Sequence, residues 1–498
     1  MKLKTYLLIG LSALTLQSCD GFLSNKPKGY TIPEYFEDYA KLLNHSSLQR
    51  SLDPALSFIT DDIYLTSDGE VKGINNKKFS RFDFTSKDEQ KRNMYSFKGG
   101  QVLTPGNPDP LWNNAYGNIY VYNTVANNIM NVTDVPEEQK RATRAEALVG
   151  RAFEYLNLVN IFANHYQAET AATDYGVPIV LKEDVGNNKY VRNSVAEVYE
   201  LIVNDLEEAV NFLPEIVPNV YHPSKSIGYA FLSRVYLYMG NYVKALENAN
   251  KALEISHELT DYTDYTVTNG TFGRIISKEN ANKTFPQDIE SVENIFLRQL
   301  NNTSYLFTEV AVSKDLIDTY KKDLAEDGAD MRFELFFLTD SASFMMDDVV
   351  SDRFTGYTTY APYINLNVGF TTAEIYLIAA ECEARTKNFA RCVELLNTLR
   401  DSRIENNVHY TTGDVATMEE ALRLVVDERR REFAFCGPTR LFDLKRLNRE
   451  DWFKKDITHT ADGNTWVLPA NDLRYIMPVP QTILDFNPDM PQYDRPGK

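Results

Sequence analysis

Cysteine is scarce in this chain. There are four in 498 residues, Cys19, Cys382, Cys392 and Cys436, so no disulfide framework supports the fold. The last three read as buried small apolar residues. A Cys382 to Cys392 bridge between neighbouring antiparallel helices is the alternative, and no pair has zinc-ligand spacing. Long apolar runs are also missing beyond the first twenty residues, which excludes a later membrane-spanning helix. Positive charge is in deficit: 52 Lys and Arg face 70 Asp and Glu, a net charge of −18, and two units more without Lys2 and Lys4. Such a surface offers no basic face for nucleic acid, nor for nonspecific binding of polyanionic glycans.

Recognisable catalytic patterns are absent as well. No zinc-protease pattern surrounds any of the six histidines, and there is neither a phosphate-binding loop nor a Gly-X-Ser-X-Gly elbow. Glycoside cleavage needs two positioned carboxylates, but among 70 acidic residues the pairs Asp61-Asp62 and Asp347-Asp348 read as solvated loop groups. Asp61, Asp62 and Asp68 do not reproduce a calcium loop. The reading is therefore a protein without catalytic residues, cofactor or metal.

The first residues look like an address rather than structure. Lys2 and Lys4 precede an apolar stretch from Tyr6 to Leu16, and Leu16-Gln17-Ser18-Cys19 resembles a bacterial lipoprotein cleavage site, imperfect at Gln17. Residues 1–18 are then a signal peptide. Cys19 becomes the lipid-attachment residue, and several acyl chains at about 0.8 kcal/mol per buried methylene make a durable anchor. An ordinary secretory leader with an incidental cysteine is the alternative.

The body is mainly α. Ala230 to Leu253 carries Leu232, Ser233, Tyr236, Gly240, Tyr242, Ala245, Ala249 and Ala252 in the small, aromatic and turn positions of a tetratricopeptide repeat. A weaker copy runs from Ala373 to Leu399 and puts Cys392 where alanine is usual. Ser194 and Glu197 form a capping box ahead of Val198, Ile202, Leu206 and Ala209 at helical spacing, with Pro214 ending the run. Trp112, Ala115, Ile119 and Ala126 mark another helix, and Arg144 to Phe162 a further long one.

Residues 54–110 and 260–363 read instead as elaborate loops, rich in Gly, Asn, Asp, Tyr and Phe. Long irregular segments on a rigid scaffold commonly carry recognition. Aromatic faces stack on sugar rings while Asn, Asp and Arg bind hydroxyls, and many of the 30 Tyr and 27 Phe are already explained by repeat packing. The loop aromatics Tyr64, Tyr95, Tyr265, Tyr305 and Tyr360 are the ligand-binding candidates, with Asp68 and Arg81 as polar partners.

From Cys19 to about Gln492 the chain resembles the SusD/RagB family of surface nutrient-binding lipoproteins. The resemblance rests on Cys19-Asp20-Gly21-Phe22-Leu23 with Pro27, on Trp112-Asn113-Asn114-Ala115-Tyr116, and on Glu146-Ala147 through Arg151-Ala152-Phe153-Glu154-Tyr155. The loop Tyr175-Gly176-Val177-Pro178 adds to it. Most specific are Glu428-Arg429-Arg430-Arg431-Glu432-Phe433-Ala434-Phe435 with Gly437, Arg440, Asp443-Leu444 and Arg446, and the ending Met477-Pro478-Val479-Pro480. Cys436 departs from the pattern, standing where the family often has glutamate. The charged signature reads as architecture, its arginines bridging carboxylates.

The resemblance implies a SusD-like fold over 19–498, with an N-terminal part of about 19–225 and a C-terminal part of about 226–498. It implies an outer-membrane, surface-exposed lipoprotein that binds a nutrient, an oligosaccharide above all, and acts as the lid of a SusC-like TonB-dependent transporter. A peptide ligand, or a structural or adhesive role, are the alternatives. The family's binding residues sit in variable loops and transfer to no position here.

Overall fold

The structure is a computed structural model. It describes residues 33–70, 80–104, 106–183, 189–268, 274–301, 305–339, 343–346, 350–353 and 356–497, with backbone alone at 80, 305, 307, 343–346 and 350–353. The signal peptide, Cys19, the motif at Phe22-Leu23 and the pair Asp347-Asp348 lie outside the described residues.

Helices dominate, at about 48% of the chain. Those of six residues or more among the described residues are, in order, α1 (Phe36–Leu43), α2 (Glu89–Tyr95), α3 (Pro110–Asn128), α4 (Glu137–Phe162), α5 (Val195–Ala209), α6 (Lys225–Tyr238) and α7 (Tyr242–Ile255). There follow α8 (Lys314–Lys321), α9 (Met331–Phe336), α10 (Thr372–Arg385), α11 (Phe389–Asp401), α12 (Met418–Glu432), α13 (Thr439–Leu447) and α14 (Gln481–Phe486). Successive helices α3 to α7 pack as neighbours, and α10 lies against α7, α11 and α12.

Both expected repeat units are helix pairs, and they turn by the same device. Gly240 follows α6 at φ +72°, and Lys387 follows α10 at φ +65°. In the first, Gly240 N–H donates to the Leu237 carbonyl and Asn241 N–H to that of Tyr236; in the second, Lys387 donates to Ala384 and Asn388 to Glu383. These paired bonds are a Schellman ending, which satisfies carbonyls left open by the last turn. Close approach in the pairs comes from small buried residues, Ala245, Ala249 and Ala252 in α7 and Cys392 in α11. Cys382, Cys392 and Cys436 are free and buried, so the bridge alternative is not adopted.

The capping box at the start of α5 is formed: Ser194 Oγ accepts from Glu197 N–H at 3.2 Å and Glu197 accepts from Ser194 N–H at 2.7 Å. Helix α4 starts at Glu137, two turns before the expected Arg144. Pro136 with Glu137 and Glu138 initiates it, and acidic first-turn residues suit the positive end of the helix dipole.

The two regions expected to be loops carry, among their described residues, the short helices α2, α8 and α9 between two-stranded pairs and 3-10 turns. Their cohesion comes from buried ion networks tied to α12. Glu428 accepts from Arg332 at 2.6 Å and from Arg400 and Arg431 at 3.0 Å each. Arg403 joins Glu293 and Glu432 at 2.7 and 2.9 Å. Asp61 and Asp62 are a correction to the expectation of solvated carboxylates. Both are buried, Asp61 bonded to Arg440 at 2.8 Å and Asp62 to Arg430 at 2.9 Å. Burial pushes the Asp61 carboxyl up, but Arg440 and Arg430 outweigh it and hold the group well below the usual carboxylate range. Their partners stand more than 360 positions away, where local pattern carries no trace of them.

Candidate functional site

The strand Ile63–Tyr64 pairs antiparallel with Ala311–Val312. Alternation along it buries Ile63 and leaves Tyr64 half-exposed, as a pleated strand requires. The chain then turns through Ser67-Asp68-Gly69-Glu70, where Glu70 N–H donates to the Ser67 carbonyl at 3.0 Å and Gly69 takes φ +69°. Buried Asp83 braces this turn from beneath. Its carboxylate accepts from Thr66 Oγ1 at 2.8 Å and from Gly69 N–H at 3.0 Å.

Three side chains converge above the turn. Tyr357 donates its hydroxyl to Glu70 Oε1 at 2.9 Å, and Tyr64 reaches both Glu70 oxygens at 3.4 Å. The Tyr357 ring stacks on buried Phe82, centroids 6.5 Å apart at 12°. Burial and the Glu70 carboxylate raise both phenols above their ordinary value, so each stays a donor. Phe84 and half-exposed Trp466 meet nearby, their ring centroids 5.0 Å apart and tilted by 34°. The turn is tied to the hairpin Ile457–Leu468 at its tip, Asp68 N–H donating to Asp462 at 2.8 Å and Asp462 N–H to Ser67 Oγ at 3.0 Å.

Of the predicted residues, Tyr64 and exposed Asp68 share this surface, and half-buried Arg81 lies on the 3-10 turn that leads to Asp83. Tyr95 is beneath it rather than on it. It is 1% exposed, stacks on His459 at 4.1 Å, accepts from Leu65 N–H at 3.1 Å and donates to the Thr460 carbonyl at 3.4 Å. Tyr360 and Tyr265 are corrections too: both are buried, Tyr360 against Phe337 and Phe435, Tyr265 against Phe285 at 5.0 Å. The Tyr305 side chain lies outside the described residues. Glu70, Tyr357 and Trp466 were not anticipated. Tyr357 sits three residues before Tyr360 in the same aromatic loop, and nothing local says which of the two faces the core.

Chemically, this is a rigid aromatic and acidic platform. A carboxylate offers about four acceptor positions; the two phenols and the Ser67 N–H, 3.1 Å from Oε2, engage most of them, which leaves Glu70 a position to accept from one ligand hydroxyl. Asp83 is turned inward to the backbone and is no partner for it. Among the described residues no group of three His, Cys, Asp or Glu is placed to hold a metal ion, and no helix is long and apolar enough to cross a membrane.

Comparison with known proteins places the chain in a family. Residues 53–237 match the SusD-like family model described as "Starch-binding associating with outer membrane", and residues 344–497 match the SusD family model. The SusD-like protein P2 of Formosa agariphila is 32% identical over 139 residues, 28% of this chain and 26% of that relative, so the match spans about a quarter of the relative's length. Among solved structures, a SusD superfamily protein from Bacteroides thetaiotaomicron superposes with a TM-score of 0.68 at 20% identity, over 93% of this chain and 100% of the other. A putative sugar-binding protein from Bacteroides vulgatus gives 0.66 at 22% identity, over 94% and 100%. The mainly α architecture is thus the SusD-like fold, and the chain belongs to the SusD/RagB family.

Proposed function

We propose that this protein binds an oligosaccharide on the Tyr64, Glu70 and Tyr357 surface, as a lipid-anchored lid on the outer face of an outer membrane that passes its ligand to a TonB-dependent transporter. The observation that carries the binding role is the pair of tyrosines held by one carboxylate on a braced turn. Ring faces stack on the apolar face of a sugar, and a preorganised carboxylate accepts from its hydroxyls without further ordering. Asp68 and Arg81 border the surface and extend the polar contacts.

Family membership supports the nutrient-binding role and the association with an outer membrane. Anchoring through Cys19 supports the lid, because a tether keeps carrier and transporter at high effective concentration. Calorimetry against neutral oligosaccharides and peptides tests ligand class: saturable heat with a glycan is expected, and binding of peptides alone refutes the carbohydrate reading. Copurification from native membranes tests the partnership, since failure to recover a TonB-dependent barrel with the detergent-solubilised protein refutes the lid.

A further inference from the structure

A second cleft lies away from this surface, between the first half of α3, the stretches 178–182 and 189–190, and α14, with a volume of about 550 Å³. Its walls are apolar, formed by Trp112, Tyr116, Ile119, Val180, Ile483 and Met490. Several polar atoms along it are already engaged inside the protein. Tyr116 donates to the Pro178 carbonyl at 2.8 Å, Val180 N–H donates to Tyr155 Oη at 2.7 Å, and Tyr190 N–H donates to Asn487 Oδ1 at 3.0 Å. An occupant therefore meets carbon surface, which disfavours a hydroxyl-rich sugar at depth.

The mouth is different. Lys182 and Lys189 line it, both exposed, and neither forms an ion pair among the described residues. Among the described residues they are the only charged groups lining the cleft, in a chain whose net charge is −18. Around them the rim is greasy: of the lining residues, Phe486 is 82% exposed and Tyr120 45%. Contiguous exposed apolar surface of this kind marks a binding site more often than chance, and the volume falls in the range of about 300–1,000 Å³ typical of small-ligand pockets.

We infer that this cleft binds a small amphipathic anion, an aliphatic or aryl chain ending in a carboxylate, its apolar body against Trp112, Ile119 and Ile483 and its carboxylate between Lys182 and Lys189. Two ammonium groups without an ion pair among the described residues, lining an apolar trough, complement that shape and charge. Surface lysines of this kind discriminate by sign of charge and lose their grip at high salt. The site is separate from the tyrosine platform and does not depend on its assignment.

The test uses the full-length protein with sodium decanoate below its micellar concentration, read by calorimetry and by Trp112 fluorescence. Decyltrimethylammonium, the same chain with the opposite charge, is the control. Decanoate should bind saturably and at least about tenfold tighter than the cation. The K182Q/K189Q double variant should lose about tenfold in decanoate affinity with an unchanged circular dichroism spectrum. Tyr64→Ala should leave it unaltered. No saturable binding of decanoate, equal affinity for the two amphiphiles, or an unaltered double variant overturns the proposal. Self-association by light scattering that Phe486→Ser abolishes, without decanoate binding, overturns it in favour of a contact between two copies of this chain.

Discussion

The Tyr357 hydroxyl donates to Glu70 at 2.9 Å across 287 positions of sequence. That bond closes the loop that carries Tyr357 onto the turn that carries Tyr64, and it makes the binding surface one rigid unit rather than two loops. Removing it tests preorganisation separately from contact. Tyr357→Phe keeps the stacking face and loses only the hydroxyl, so oligosaccharide affinity should fall about threefold to tenfold, in line with a net hydrogen bond of about 1 kcal/mol. Tyr357→Ala should cost more, and an affinity equal to wild type in both variants excludes the residue.

Tyr95 carries a different expectation, because it supports the surface from below. Tyr95→Phe leaves the buried Leu65 N–H without its acceptor at 3.1 Å, at a cost of about 1–3 kcal/mol. Urea denaturation should show that loss. Ligand affinity should follow only in proportion to how far the turn after Leu65 relaxes, and full stability in the variant would contradict the geometry.

The two Schellman endings predict opposite responses. Lys387 occupies with a side chain the left-handed position that Gly240 fills without one, and a non-glycine residue there costs about 1 kcal/mol. Lys387→Gly should raise stability by up to about 1 kcal/mol after the larger unfolded-state entropy of glycine is offset. Gly240→Ala should lower it, and thermal melts of both decide the matter.

Glu154 makes stability depend on pH. Burial raises its carboxyl to about 7, only partly countered by the hydrogen bond from Asn118, and one carboxylate oxygen has no partner. A folded pKa above the unfolded one means that its contribution is fully present below about pH 4.5 and is lost as pH rises through about 7. Glu154→Gln removes the titration. It should match wild type near pH 4.5 and exceed it by about 2–3 kcal/mol at pH 8, and a difference independent of pH would contradict the assignment.

Glu428 is surrounded by Arg332, Arg400 and Arg431 with no exposed surface of its own. Glu428→Ala should therefore destabilise by about 3–5 kcal/mol, since it strands buried cations. A soluble variant with near wild-type stability would show that the network is not what joins α12 to the loops.

How far the chain can be read without its structure follows from the range of the forces involved. The repeat at Ala230 to Leu253 and the cap at Ser194 with Glu197 depend on residues within one or two helical turns, and both were legible. So was the architectural role of the Glu428 to Arg446 signature, because six charges in a row, from Asp427 to Glu432, cannot all lie on one solvated face. Tyr64 and Asp68 could be placed in a loop but not oriented. Tyr360 and Tyr357 differ only in which face of a short strand and its lead-in they take, and that is set by Phe337 and Phe435 on distant segments. Asp61 and Asp62 looked solvated for the same reason: Arg430 and Arg440 are near them only after folding.

The most direct test of the account is calorimetric titration of the best oligosaccharide ligand into wild-type protein and into the Tyr64→Ala, Glu70→Gln and Tyr357→Ala variants, each checked for folding by circular dichroism. A shared surface predicts losses of about tenfold or more for each alanine variant and a smaller loss for Glu70→Gln, with spectra unchanged. Wild-type affinity in all three folded variants would contradict it and place the ligand elsewhere on the molecule.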